Sequence, residues 1–350
     1  MKISVIVPCR NEIHYLVKFL DSVLAQDLDP DCQMEVLVAD GMSDDGSRDL
    51  LRTYAAQSTR VRLIDNPGRI VSAGLNATIA AATGDVIVRM DVHTTYARDY
   101  IRECIRALNE SGADNVGGPW AAEGHGVIGQ AIAAAFQSPL CTGGGKAHDR
   151  RYEGEVDTVY LGCWPREVFE RAGEFDPALI RNQDDEFNFR LRRLGGRIWQ
   201  SSRIRSTYTP RGSVAALFRQ YLQYGYWKVV VIRKHRALAA WRHVVPALFV
   251  SSLIVGAALF LIAMAAGAHG VMARIGILLA AEVSAYSLVC IAASIRCGTS
   301  LNPRSRFILP AVISVYHVAY GLGFLAGLAN AVLTRSDKPT PREIFSALTR

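Results

Sequence analysis

Val244–Gly267 and Val271–Ser294 are long, almost wholly apolar runs, and no other feature narrows the possible folds so far. Each is long enough to cross about 30 Å of hydrocarbon, which takes roughly 20 residues. Lipid offers no partner to backbone N–H and C=O groups, so such runs must be helices. Phe307–Leu333 is a third run, interrupted by Pro310 and by Gly321, Gly323 and Gly327. The basic stretch Arg233–Arg242 assigns the flank before the first run to the cytoplasmic side. Arg296, Arg304 and Arg306 agree for the loop after the second. Three crossings would leave Arg335, Lys338, Arg342 and Arg350 outside, which the same rule disfavours. The third run is therefore either a crossing with a translocated tail or a re-entrant segment. Glu282 is costly in lipid and needs a partner there.

The rest of the chain is of a different kind. Hydrophobic residues make up 50% of the 350, and the mean hydropathy of +0.14 is high for a soluble protein because of the C-terminal runs. The net charge of +7 is not gathered with aromatics in any base-reading pattern, which argues against nucleic acid as a partner. Cations flanking apolar runs suit anionic membrane lipid instead. The seven cysteines are scattered without a CxxC spacing, so neither a disulfide framework nor a zinc site is expected, and a reducing compartment fits. Met1–Pro8 is too short for a secretory signal and predicts a strand, which keeps the N-terminal part cytoplasmic.

Ile3–Val7 and Glu35–Ala39 are short apolar runs of the kind buried on both faces of a parallel sheet, and helical spacing follows each, over Tyr15–Leu24 and Arg48–Gln57. Val61–Ile64 and Gly84–Met90 predict further strands, and Ser72–Ala82 a helix. Such alternation predicts an α/β fold with ligands at the carboxyl ends of the strands. Those ends carry Arg10, Asn11, Glu12, Asp40 and Asp45, with no GxGxxG, which excludes a dinucleotide-binding turn. The acids in Asp40–Ser47 are suited to capping the next helix or to accepting hydrogen bonds from a ribose or a base. Asp91 and His93, two apart on an extended chain, point to the same side. Asp184, Asp185 and Glu186 open an amphipathic run with Phe187, Leu191 and Leu194 on one side and Arg190, Arg192 and Arg193 on the other. Acids there suit the positive end of a helix, and a carboxylate beside a cleft is also placed to act as general base.

The ordered set strand–PCRNE, strand–ADGMSDDGS, GDVIVRMDVH and LGCWPREVFERAGEFDPALIRNQDDEFNFRLRRLGGRIW resembles the family-2 glycosyltransferases of the GT-A fold over the first two-thirds of the chain. It is most similar to the succinoglycan-type exopolysaccharide glucosyltransferases. That resemblance implies a GT-A catalytic domain with a Rossmann-like, mainly parallel mixed sheet. It implies that Pro8, Arg10, Glu12, Asp40, Asp45, Arg69, Asn76 and Asp91 surround a UDP-sugar. Asp91 takes the first place of the metal motif and His93 the second, with a divalent cation, Mn²⁺ or Mg²⁺, as cofactor. Asp184 takes the place of the catalytic base, and Asp185 is the alternative. Trp120 and Trp164 fall where acceptor-side walls are expected, together with Tyr224 and Trp227 further on. A core role for each tryptophan remains open. Cys141–Gly154, with three consecutive glycines, suggests a loop that closes over substrate.

Val214–Val231 combines Phe218, Tyr221, Tyr224 and Trp227 with Arg219 and Lys228, as in a helix lying at a membrane surface; the alternative is a buried core helix. The processive QxxRW motif is absent, which favours one sugar per acceptor. The expected organisation is a glycosyltransferase domain over 1–212, an interfacial segment over 213–243, two to three spans over 244–334 and a polar tail over 335–350. The resemblance implies an inverting hexosyltransferase of a bacterial-type inner membrane, multi-pass, working on a lipid-linked saccharide alongside other polysaccharide-assembly proteins. A polyprenyl-phosphate sugar transferase and a catalytically idle scaffold subunit are the alternatives.

Overall fold

The computed structural model describes residues 1–238, 240–334 and Phe345, so the tail expected over 335–350 lies outside the described residues apart from that one side chain. The chain forms two compact units, one of Met1–Ala121 with Lys146–Thr209, the other of Ala122–Gly145 with the chain from Pro210 onward. In order, the elements are β1 (Lys2–Cys9), α1 (Ile13–Leu24), β2 (Gln33–Asp40), α2 (Ser47–Gln57), β3 (Val61–Asp65), α3 (Val71–Ala81), β4 (Val86–Arg89), β5 (Thr94–Tyr96), α4 (Tyr100–Ser111) and β6 (Asn115–Gly118). Then follow α5 (Gly126–Gln137), α6 (Pro139–Thr142), β7 (Gly154–Glu155), β8 (Tyr160–Pro165), α7 (Glu167–Ala172), α8 (Gln183–Arg193), β9 (Ile198–Gln200) and β10 (Ser206–Tyr208). The last four are α9 (Val214–His235), α10 (Val245–Ala265), α11 (His269–Cys297) and α12 (Pro303–Leu333).

The first unit is built on a sheet ordered β3-β2-β1-β4-β8-β6-β9-β7, in which β1, β2, β3 and β4 are parallel and β8 runs against β4 and β6. β5 and β10 form a separate antiparallel pair. The apolar β1 buries side chains on both faces, as a central parallel strand must. Ile3, Val5 and Val7 join Leu16, Leu20 and Tyr100 on one side, while Ile6 joins Leu75, Phe187 and Leu191 on the other.

That second face fixes α8. Phe187 and Leu191, both fully buried, enter a cluster with Trp164, Phe169 and Phe175, and the rings of Phe175 and Phe187 lie 4.8 Å apart. Burying one such side chain contributes roughly 1.5–3 kcal/mol. Leu194, expected on the same side, caps the helix end and is 52% exposed. The chain entering α8 is held by α3. Asn76 Nδ2 donates to Phe175 O at 2.7 Å and its Oδ1 accepts from Phe175 N at 3.0 Å, while Ser72 Oγ donates to Leu179 O at 3.1 Å. The stretch read as a closing loop carries a helical turn at Lys146–His148, and Gln200 Nε2 donates to the carbonyls of Lys146, Asp149 and Tyr152.

In the second unit, three helices are, among the described residues, long and apolar enough to cross a membrane: Trp241–Ala265, His269–Cys297 and Pro303–Leu333. The third is one continuous helix, so the interruption expected at Pro310 and the glycines does not occur. The glycines are contact points instead. A Cβ on Gly323 would strike the backbone carbonyl of Leu222, and one on Gly225 the carbonyl of Tyr320, so α9 and α12 meet backbone to backbone. The side of α9 that carries Tyr226 and Trp227 is therefore covered by protein rather than lipid. Glu282 meets the Ser252 hydroxyl, which joins α11 to α10.

Gly323→Ala is expected to destabilise the chain by roughly 1–3 kcal/mol through overpacking. Gly270→Ala, where a Cβ meets nothing within 4 Å, should leave it unchanged or slightly more stable. Thermal unfolding of the two variants in the same detergent makes the comparison.

Candidate active site

The carboxyl ends of β1 and β2 are stitched together by short polar contacts. Asn11 N donates to Ser43 Oγ and Glu12 N to Ser47 Oγ, both at 2.7 Å, and Asp44 N donates to Asn11 Oδ1 at 2.9 Å. Asp45 accepts from Ile13 N at 3.2 Å and from Ser47 N at 3.0 Å, which makes it the cap of this corner. Asp40 is fully buried and accepts from Arg48 Nη1 at 2.7 Å, with Ser43 N within 3.3 Å. Arg48, which the sequence did not single out, also reaches Asp65. Arg48 engages only Oδ2 of Asp40, while Oδ1 meets Ser43 N at 3.3 Å. Pro8 lies opposite Ala39, and the Arg10 side chain runs against Gly41. Arg69 is exposed on the turn before α3, whereas both polar ends of Asn76 are committed to Phe175.

β4 ends at Arg89, and there the carboxylates converge. Arg89 is 6% exposed; its Nε and Nη2 donate to Asp91 Oδ1 and Oδ2 at 3.3 and 3.1 Å. Its Nη1 lies 3.8 Å from Asp184 Oδ2 and, among the described residues, has no hydrogen-bond partner. One guanidinium thus faces both the acid after β4 and the acid that opens α8. Burial would lower the arginine's pKa, but Asp91 and Asp184 outweigh it and raise it, so the group stays charged. The Asp184 carboxyl is pushed up from its ordinary value by burial, drawn down by Arg89, and pushed up again by Asp185. Its side chain keeps 41% exposure, which moderates these effects and leaves it open to a substrate. Tyr96, also missed in the sequence, accepts from Asp91 N at 2.7 Å and donates to Asp91 O at 3.1 Å. Asn182 adopts a left-handed backbone just before α8 (φ 59°), a conformation asparagine tolerates better than most residues.

His93 Nε2 sits 2.9 Å from Glu12 Oε2, and its ring lies edge-on to Tyr15. Among the described residues, no three His, Cys, Asp or Glu side chains gather closely enough to cage an ion. The residues fit a cation that takes one or two protein donors and completes its shell with diphosphate oxygens. Asp91, 30% exposed, and His93 are the donors available for that.

The glycosyl transferase family 2 model matches residues 4–155. The chain is 32% identical to the succinoglycan biosynthesis protein ExoA of Rhizobium meliloti, across 74% of this chain and 78% of that protein. The chain belongs to glycosyltransferase family 2. This glycosyltransferase is also 27% identical to a dolichyl N-acetyl-α-D-glucosaminyl phosphate 3-β-D-2,3-diacetamido-2,3-dideoxy-β-D-glucuronosyltransferase of Methanococcus voltae, over 75% of this chain and 84% of that one. Its sheet is that of the GT-A fold. It superposes on the mannosyltransferase PcManGT of Pyrobaculum calidifontis, solved with GDP-Man and Mn²⁺, with a TM-score of 0.58 and 18% identity over 92% of this chain and 86% of that chain.

The expected acceptor walls fare differently. Trp164 is 1% exposed inside the Phe169–Phe175–Phe187 cluster and offers no face to a sugar. Trp164 lies near the end of β8 with its ring in this cluster, while its neighbour Cys163 faces the other one. Trp120 is half-buried, its ring lying against Tyr160 at 5.1 Å and His148 at 5.5 Å. In the second unit, Trp227 is likewise 1% exposed, donating from Nε1 to Phe345 O at 2.8 Å, so it is a packing residue. Tyr224 is half-buried, beside Tyr221 and bonded to Gln220.

Arg89→Met in the glycosyltransferase leaves both Asp91 and Asp184 without their shared cation. The expected loss is up to about 3 kcal/mol at pH 7, the low end for a broken buried pair because both acids are partly exposed. Without the arginine the folded pKa of Asp184, already raised by burial and Asp185, rises further above its unfolded value. The deficit is then full above that window and shrinks as pH falls through it. Chemical denaturation of wild type and variant between pH 5 and pH 8 reads the trend.

Proposed function

We propose that this family-2 glycosyltransferase moves a hexose, glucose on the strength of its sequence resemblance, from a UDP-sugar to a lipid-linked saccharide during exopolysaccharide synthesis. The transfer inverts the anomeric carbon and adds one sugar per acceptor at a bacterial-type inner membrane, with the catalytic domain cytoplasmic. One observation carries the reading: Arg89 lies between Asp91 on the donor side and Asp184 at the opening of α8. The relatives lend support through their names, one a succinoglycan biosynthesis protein and the other a transferase whose acceptor is a dolichyl-linked sugar phosphate.

In the reaction, an acceptor hydroxyl oxygen bonds to the anomeric carbon as the bond from that carbon to the UDP phosphate oxygen breaks. Asp184 takes the hydroxyl proton. A carboxylate whose pKa is raised by burial is the stronger base for taking that proton. Arg89, 3.8 Å away, offsets the Asp184 charge. Asp91 and His93 would hold a divalent cation, which when bound supplies charge to the departing diphosphate. Glu12 and the backbone of the Gly41–Gly46 turn line the nucleotide side.

Asp184→Asn should lower transfer into extractable lipid by about 10²–10⁴-fold, with UDP binding by calorimetry kept near wild type and Asp185→Asn far less affected. Near-normal transfer by Asp184→Asn would overturn the assignment of the base. It would favour a bare lipid phosphate as acceptor, which arrives already deprotonated. Failure of the wild type to bind UDP with Mn²⁺ or Mg²⁺ would revive the idle scaffold.

A further inference from the structure

We propose that α12, despite its length and apolarity, does not cross the bilayer. It lies along the membrane interface, the chain crosses twice through α10 and α11, and the tail emerges on the side from which α10 starts. This inference is independent of the catalytic reading.

The ends of α12 carry it. At the first end, Asn302 Nδ2 and Ser305 Oγ donate to Gln130 Oε1 at 2.7 and 3.1 Å, and further along Tyr316 OH donates to Ile132 O at 3.3 Å. At the last end, Arg233 Nη1 donates to the carbonyls of Ala331 and Thr334, both at 3.4 Å, and Asn330 Nδ2 donates to Tyr226 OH at 2.8 Å. Gln130 and Ile132 belong to α5; Tyr226 and Arg233 belong to α9. Both helices precede the first span in the chain, and neither is long and apolar enough to cross. Two ends bonded to segments that have not yet crossed are on one side of the membrane. At 1.5 Å per residue, its 31 residues extend about 46 Å. A crossing helix of that length would carry its ends out on opposite faces of about 30 Å of hydrocarbon.

Burial separates the three helices in the same way. Half of the most apolar stretch of α12 is buried by protein, against 17% and 6% for the stretches in the first two. What α12 leaves exposed suits an interface: Phe307, Val332 and Leu333 are each more than three-quarters exposed, with Arg304 and Arg306 exposed beside the first. Apolar side chains dipping into the acyl boundary beside cations at headgroup level are the signature of a helix seated in the interface, with anionic lipid as its partner. Finally, Tyr226 stacks on Phe345 at 4.2 Å and Trp227 Nε1 donates to Phe345 O, so the chain beyond α12 meets α9 again.

Epitope tags on the full-length chain decide the matter: one after Arg350, one between Gly298 and Leu301, one between Ala266 and Ala268. Sealed vesicles of known orientation are treated with an impermeant protease, and loss of each tag is followed by blotting. The C-terminal tag is expected to be lost together with the 298–301 tag and from the face opposite the 266–268 tag. Loss of the C-terminal tag together with the 266–268 tag would overturn the proposal. Should an insertion block folding, a C-terminal alkaline phosphatase fusion gives the same answer without one. Absence of phosphatase activity in cells, with the fusion active once they are lysed, supports the interface helix, and full activity in intact cells rejects it.

Discussion

Arg89 makes the interaction on which the rest of the first unit turns. A guanidinium at the end of a buried strand is costly to desolvate, and it is tolerated because two carboxylates face it. Those carboxylates come from places far apart in the chain. Asp91 follows the same strand, while Asp184 opens a helix that arrives only after β8 and α7. The sheet order β1-β4-β8 and the aromatic cluster beneath α8 exist, from this point of view, to bring the two acids to one cation. A third contributor is α3, whose Ser72 and Asn76 grip the chain just before α8 and so fix where its first turn begins. The position of Asp184 then depends on packing further along the chain: Phe175 and Phe187 anchor the helix that carries it.

Much of this was legible in the sequence, and the exceptions have physical causes. The buried strands were plain because a parallel sheet needs apolar residues on both faces, as in Ile3–Val7 and Glu35–Ala39. The acids of α8 were plain because three in a row break an apolar, basic chain. Arg89 was missed because one cation at the end of Val86–Arg89 looks like the strand leaving the core. The signal was an acid two residues later, on the same side of an extended chain. Asn76 was placed near the nucleotide, yet its amide is a clamp on Phe175, a contact 99 residues away that no local pattern reveals. Trp164 looked like a sugar-facing wall because tryptophan beside glycine suits both a wall and a core, and only burial separates the two.

The second unit shows a limit of hydropathy as a guide. Pro303–Leu333 has the length and apolarity of a span, and its glycines resemble breaks in a helix. In three dimensions the glycines are where α9 and α10 approach the backbone of α12, so apolarity there serves helix packing as much as lipid. The same reasoning explains α9. Its aromatics suggested a membrane-surface helix, but Tyr226 and Trp227 are covered by protein, and only part of its surface is left for lipid. An apolar run of spanning length describes what a helix avoids, which is water, and leaves open whether protein or lipid replaces it.

Whether Asp91, Arg89 and Asp184 work as one catalytic unit is tested most directly by transfer rates of four proteins: wild type, Asp91→Asn, Asp184→Asn and the double variant. Groups that act as a unit are non-additive, so the double variant should be no slower than the worse single one by more than a few-fold. A double variant whose loss equals the product of the two single losses would mean that the carboxylates act independently, and the account built on their shared arginine would be contradicted.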